Sequence, residues 1–206
     1  SYDDGNSTWV KQGSTLNYAS TNATGLYYRV WNSSAGWGQW TSITANFTLA
    51  IHDDGTIHVE WYAYNGSLVE DTHNSSFMFD ETAPTVSLTI GTPASGTRIA
   101  PWTDLSLSAS DSGVGVDEIR YRIWNGSDWS AWSVYSDPFN LSGFADGTYF
   151  VESQSEDLLA HTSSVLNSSL VVDDSLNAPM SAFDGLTDSY DDGNSTWVKQ
   201  GSTLNY

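Results

Sequence analysis

The sequence predicts an all-β protein made of antiparallel sandwiches in tandem, and three observations carry that expectation. Apolar and polar residues alternate with period two along the chain, and no stretch longer than ten residues keeps the apolar stripe of a helix. Turn-forming residues recur every eight to fifteen positions, as short antiparallel hairpins require. Residues Ser1 to Tyr18 return letter for letter as Ser189 to Tyr206, a spacing of 188 residues. An identity that long does not arise from local propensity, so the chain reads as one whole repeat followed by the opening of the next.

A weaker repeat lies inside the first. Tyr28-Arg29-Val30-Trp31-Asn32 matches Tyr121-Arg122-Ile123-Trp124-Asn125 at an offset of 93, and Trp37 and Trp40 match Trp129 and Trp132 at 92. Each 188-residue unit is therefore expected to hold two sandwiches of roughly 94 residues, a length that accommodates seven short strands. The expected boundaries are a first domain over 1–82, a second over 83–175, and the start of the next repeat's first domain over 176–206. The seam falls at Asp80-Glu81-Thr82-Ala83-Pro84.

In the second domain Val86 and Leu88 alternate in a first strand, and Leu105, Leu107 and Ala109 mark a second. Ile119, Tyr121 and Ile123 share one face of a third, which leaves Arg120, Arg122 and Trp124 on the other. After the Asn125-Gly126 turn a fourth strand is expected around Trp129 to Tyr135, then a short fifth at Phe139 to Leu141. Beyond Asp146-Gly147, Tyr149 and Val151 point inward from a sixth, and Leu166 to Val172 form the seventh. The first domain repeats the scheme with Leu16 and Tyr18; Leu26, Tyr28 and Val30; Phe47 and Leu49; Ile57, Val59 and Trp61; and Phe77 and Phe79. Its own first strand is expected to resemble Ala178 to Leu186 and to come from a preceding copy.

The run Ser108-Ala109-Ser110-Asp111-Ser112-Gly113-Val114, then Ile119-Arg120-Tyr121-Arg122, Trp129, Tyr135-Ser136-Asp137-Pro138-Phe139, Asp146-Gly147-Thr148-Tyr149-Phe150-Val151 and Asp157 carries a resemblance in its order and spacing. It resembles the immunoglobulin-like, fibronectin-III-like β-sandwich repeats of prokaryotic adhesins and surface-layer or surface-filament glycoproteins. The seam from Asp80 to Pro84 is similar to their inter-domain joint. The resemblance covers about 83–175 well and 13–82 more loosely. It implies two tandem seven-stranded Ig-like sandwiches per 188-residue repeat, in an extracellular, strung-out module with no catalytic site. One departure is the turn Asp157-Leu158-Leu159-Ala160-His161, where Ala160 stands in place of the family's glycine.

Composition bounds the partners. The chain has 206 residues, 39% of them hydrophobic and 14% aromatic, enough to fill a packed core. No run of eighteen apolar residues occurs, so membrane insertion of this segment is not expected. The 25 acidic residues against 6 basic ones give a formal charge of −19, which repels nucleic acid. Cysteine is absent, which removes a disulfide framework, thiolate chemistry and cysteine metal sites. Ten of the thirteen asparagines stand in Asn-x-Ser/Thr: Asn6, Asn22, Asn32, Asn46, Asn65, Asn74, Asn125, Asn140, Asn167 and Asn194. Chance at this Ser/Thr content would place roughly three there, and the excess predicts covalent N-glycans on a secreted chain.

Catalytic constellations are not expected. His52, His58, His73 and His161 lack the pairing or carboxylate context of a zinc or general-base site and read as strand and turn residues. No serine stands in a nucleophile elbow and nothing selects a glycosidase carboxylate pair, so the chain is not expected to be an enzyme. The acidic pairs Asp3-Asp4, Asp53-Asp54, Asp80-Glu81, Asp173-Asp174 and Asp191-Asp192 are solvated turn residues by default, with calcium at the domain seams as the one cofactor they suggest. Trp31, Trp37 and Trp40, mirrored by Trp124, Trp129 and Trp132, crowd one hairpin in each domain. Packing within the domain, contact between subunits and stacking on sugar rings all remain open for them. The expected function is a structural subunit of an extracellular, N-glycosylated filament or cell-surface stalk, of archaeal type by its sequon density and lack of cysteine. Its partners are copies of itself, joined by chain continuity or strand complementation. The alternative is a carbohydrate-binding adhesin module of a surface layer.

Overall fold

The computed structural model describes residues 1–17, 19–43, 46–50 and 52–176, together with the backbone of 189–191 and 196–198. Every regular element among them is a β-strand. The first half runs β1 (Tyr2–Asp3), β2 (Thr8–Val10), β3 (Thr15–Leu16), β4 (Gly25–Asn32), β5 (Gly36–Trp37), β6 (Thr41–Ile43), β7 (Phe47–Thr48), β8 (Gly55–Asn65), β9 (Leu68–Val69) and β10 (His73–Phe79). The second runs β11 (Thr85–Ile90), β12 (Ala94–Ser95), β13 (Arg98–Ile99), β14 (Leu105–Ser110), β15 (Val116–Trp124), β16 (Ser133–Val134), β17 (Gly147–Asp157) and β18 (Leu166–Val172).

Strands of each half pair only within that half, and the larger sheets match. In the second half the order is β12-β13-β18-β17-β15-β16; in the first it is β1-β2-β10-β8-β4-β5, with β6 also on β4 and β9 on β8. The alternation that predicted the strands is the one that buries them: Ile57 and Val59 on β8, and Tyr149 and Val151 on β17, point inward while their neighbours do not. The opposing face of the second half is β11 paired with β14 along six residues, extended by a bridge from Leu105 to Phe139. Between the two layers lie Ile99, Leu105, Leu141, Tyr149, Val151, Leu170 and Val172, with Leu88 and Ile90 of β11 packed against them. Fully burying such side chains contributes about 1.5–3 kcal/mol each.

Several expectations need correction. The fifth strand of the second half reduces to the single bridge at Phe139, and the fourth shrinks to Ser133–Val134 with a separate bridge from Trp129 to Trp124, while Trp129 and Trp132 stack on an arginine. The short hairpins β1-β2 and β12-β13 were not expected. They carry no alternation, yet each aligns its second strand parallel to the last strand of its half, Val10 beside Phe79 and Ile99 beside Val172. The turn at Asp157 keeps the shape a glycine would give: Ala160 adopts φ 62°, and the Asp157 carboxylate accepts the N–H groups of Leu159 and His161. Tyr18, the segment 178–186 and Asn194 lie outside the described residues. The repeated opening does pair twice in one register, Tyr2 opposite Trp9 and Tyr190 opposite Trp197.

Candidate functional site

The clustered tryptophans close on an arginine in each half. β4 carries Arg29 between the rings of Trp37 and Trp40, 4.4 and 4.6 Å from their centroids. β15 carries Arg122 between Trp129 and Trp132 at 4.6 and 4.7 Å. The strand alternation puts each arginine on the outer face, and the following hairpin folds back over it, Trp31 opposite Trp37 and Trp124 opposite Trp129. Each guanidinium is also tied to the neighbouring strand: Arg29 Nε donates to Glu60 and Arg122 Nε to Glu152, both at 2.7 Å. A cation held between two indoles and a carboxylate makes a stiff, partly desolvated stack, each ring contributing about 0.5–2 kcal/mol. Trp37 and Trp132 stay more than a third exposed, Trp31 leans on His58 and Trp124 on Phe150. The arginines and their glutamates were missed as site residues. The signal was present, since Tyr-Arg-x-Trp-Asn is the best-preserved string shared by the two halves.

A groove opens in the first half where the second half has β11. Aligned through their pairing, Leu16 opposite Phe47 corresponds to Leu105 opposite Phe139, Phe77 to Leu170, and Trp61 to Ser153. Leu105, Leu170 and Ser153 are buried; Leu16, Phe77 and Trp61 are only half-buried. A cavity of about 140 Å³ remains, walled by Leu16, Leu26, Phe47, Val59, Trp61 and Phe77. Among the described residues β3 pairs with β7 and with no strand on its other side.

The seam is closed rather than solvated. Asp80, at the end of β10, is fully buried; its carboxylate accepts Thr82 N–H at 3.0 Å and, from the second half, Val114 N–H at 2.7 Å. A Cβ at Gly113 would stand 2.1 Å from that carboxylate, so only glycine lets the loop approach. Burial pushes the Asp80 carboxyl above the usual range, against the pull of its two N–H donors. Lys11 Nζ donates to the Leu159 carbonyl, which adds a second tie between the halves, and Gln12 N–H donates to the Glu81 carboxylate at the seam. The expectations of a solvated Asp80 and of histidines without carboxylate context are thereby corrected. His161 Nδ1 lies 2.6 Å from the buried Asp157, which the turn brings back four residues along the chain.

Asp80, Asp157 and His161 each offer a ligand atom within 4.8 Å of the others, as do Asp146, Asp173 and Asp174. The first set mixes an imidazole with carboxylates already spent on N–H donors. The second is all oxygen, the kind calcium takes, though Asp173 is ion-paired with Arg98 at 2.5 Å. The Ser175 hydroxyl and Arg98 hold the Asp173 carboxyl below its usual range. The other histidines are strand and turn residues: His58 bonds Ser76, His73 stacks on Trp61, and burial lowers His52.

Eight of the sequon asparagines, Asn6, Asn22, Asn46, Asn65, Asn74, Asn125, Asn140 and Asn167, are exposed. Asn125 and Asn140 turn their Oδ1 toward the N–H groups of their own loops. Asn32 is half-buried, its Nδ2 3.1 Å from His52 and its Oδ1 taken by Ser34 and Ala35.

No family model and no curated relative matches the chain. Among solved structures it is similar to the fibronectin(III)-like modules of CbhA from Clostridium thermocellum, 12% identical with a TM-score of 0.39, over 87% of this chain and 97% of that one. The all-β sandwich assignment rests on the strand pairing above. No helix among the described residues is long and apolar enough to cross a membrane.

Proposed function

We propose that the chain is a structural subunit of an extracellular, N-glycosylated filament or cell-surface stalk, in which 188-residue units of two Ig-like sandwiches are strung end to end. The observation that carries this reading is the return of residues 1–18 at 189–206, with the opening hairpin paired in the same register both times. A unit that begins again where it ends is suited to propagation rather than closure. The buried seam supports it too, because Asp80 and Gly113 make the joint between sandwiches a fixed contact. In this reading the domains run 1–82 and 83–175, with 176–206 opening the next unit. The chain is non-catalytic, avoids nucleic acid and binds copies of itself. Calcium on the Asp146, Asp173 and Asp174 oxygens would stiffen the joint between units.

The exposed asparagines carry the sugars, with Asn32 the least occupied because its amide faces His52. Intact-glycopeptide mass spectrometry of the native protein, paired with electron microscopy of the same preparation, tests the reading. The expected result is modified sequons on elongated particles with a repeating sandwich. Unmodified asparagines on compact, isolated particles would overturn it.

A second reading, a carbohydrate-binding adhesin module, is favoured by one observation: Trp37 and Trp132 keep exposed indole on a rigid stack. A glycan array that responds to the chain and falls silent with Trp37→Ala or Trp129→Ala would support it.

A further inference from the structure

We propose that residues 178–186 of one repeat are the strand that fills the open groove of the first sandwich in the next, with Phe183 as its anchor. For the 206-residue chain those two repeats are two copies, so the inference rests on the end-to-end reading above and names the contact that makes it.

The second sandwich shows what belongs in the groove. There β11 pairs antiparallel with β14 from Thr85 opposite Ser110 to Ile90 opposite Leu105, and its Leu88 and Ile90 close the core. In the first sandwich the equivalents of β14, β15, β17 and β18 are in place, Leu16, Leu26, Val59 and Phe77 line a cavity of about 140 Å³, and no strand corresponds to β11 among the described residues. Half-buried Phe47, Trp61 and Phe77 at one groove make an apolar face that a covering strand would remove from water.

Spacing identifies the occupant. In the second sandwich Ala83-Pro84 precedes β11, and Ser95 of the next hairpin follows Pro84 by 11 residues. Ala178-Pro179 is followed by Tyr190 at the same distance of 11, and Tyr190 repeats Tyr2, the hairpin residue that pairs with Trp9 as Ser95 pairs with Arg98. With no gap needed, Ser181, Phe183 and Gly185 take the places of Val86, Leu88 and Ile90. The volumes trade in the right sense. The groove wall is heavier than in the second sandwich, Trp61 for Ser153 and Phe77 for Leu170, and the entering strand is lighter on both sides of its phenylalanine, Ser181 for Val86 and Gly185 for Ile90. Strand addition of this kind takes its affinity from main-chain bonds and its register from side chains in pockets.

The same alignment sets Asp184 opposite Asn17, as Thr89 is opposite Ser106. The chain has no cysteine, so every disulfide in an Asn17→Cys, Asp184→Cys double variant of the full 206-residue protein joins engineered positions, and peptide mapping of the linked species separates the 17–184 bond from 17–17 and 184–184 bonds. Under mild oxidation, non-reducing gels are expected to show a ladder of copies linked by the 17–184 bond. Adding Phe183→Ser should cut the yield of that bond at least tenfold, and a Ser67→Cys, Asp184→Cys control should give no 67–184 bond. Light scattering on the unmodified chain runs alongside. Copies that associate while the 17–184 pair links no faster than the 67–184 control would overturn the groove and leave the end-to-end reading standing. A 17–184 link confined within single chains would overturn the contact between copies. Failure of the chains to associate at any concentration would overturn the reading on which the proposal rests.

Discussion

The two sandwiches are built on one plan and differ most at one edge. Core positions correspond almost one to one: Val10 with Ile99, Leu49 with Leu141, Ile57 with Tyr149, Val59 with Val151 and Phe79 with Val172. Both carry an arginine clasped by two tryptophans. Among the described residues only the second has a strand across Leu105 and Leu170, and there both are fully buried, while Leu16 and Phe77 of the first remain half open. The lesson is that an incomplete sandwich keeps its main sheet and loses closure of its core, so the cost of the missing strand falls on a few side chains around one groove.

That contrast can be broken most forcibly at the paired leucines. Leu105→Ala should destabilise the second sandwich by about 3–4 kcal/mol, as a fully buried leucine does, whereas Leu16→Ala in the uncomplexed chain should cost about 1 kcal/mol. Urea unfolding followed by tryptophan fluorescence would read both, and equal costs would mean that the groove is already filled. Next in size, Gly113→Ala drives a methyl into the Asp80 carboxylate and should cost about 2 kcal/mol at the seam. It is expected to split one cooperative calorimetric transition into two.

The arginine stacks sharpen the likeness rather than the difference. Arg29→Ala and Arg122→Ala should each cost about 1–2 kcal/mol through the lost indole contacts and the stranded glutamate, with similar changes in near-ultraviolet circular dichroism. A large cost in one half alone would show that the motif has diverged in role. The smallest effect is expected at the Asp157 turn. Ala160→Gly relieves a left-handed alanine and should raise stability by about 0.5–1 kcal/mol, visible as a higher melting temperature of the second sandwich.

Much of this contrast is legible in the sequence. The alternation of Ile57 and Val59, or of Tyr149 and Val151, marks strand faces directly, and the repeated Tyr-Arg-x-Trp-Asn string fixes the correspondence of the halves. The expectation that the strand covering Leu16 resembles Ala178 to Leu186 rests on their place in the repeat. What alternation cannot encode is contact made between side chains on the outer face. The stacking of Trp129 and Trp132 on Arg122 accompanies a fourth strand of two residues, and two-residue hairpins such as β12-β13 are too short to show a period. Burial of Asp80 was hidden for a different reason: a carboxylate in a turn reads as solvated unless the glycine that packs on it, 33 residues later, is paired with it in space.

Hydrogen exchange at the backbone of the first sandwich, compared between dissociated and assembled protein, tests the missing strand most directly. Amides next to Leu16 should exchange quickly in the separated chain and become protected on assembly, while those from Leu105 to Ser110, already paired with β11, should be protected in both. Assembly that leaves the Leu16 edge as exchangeable as before, with new protection elsewhere, would contradict the account.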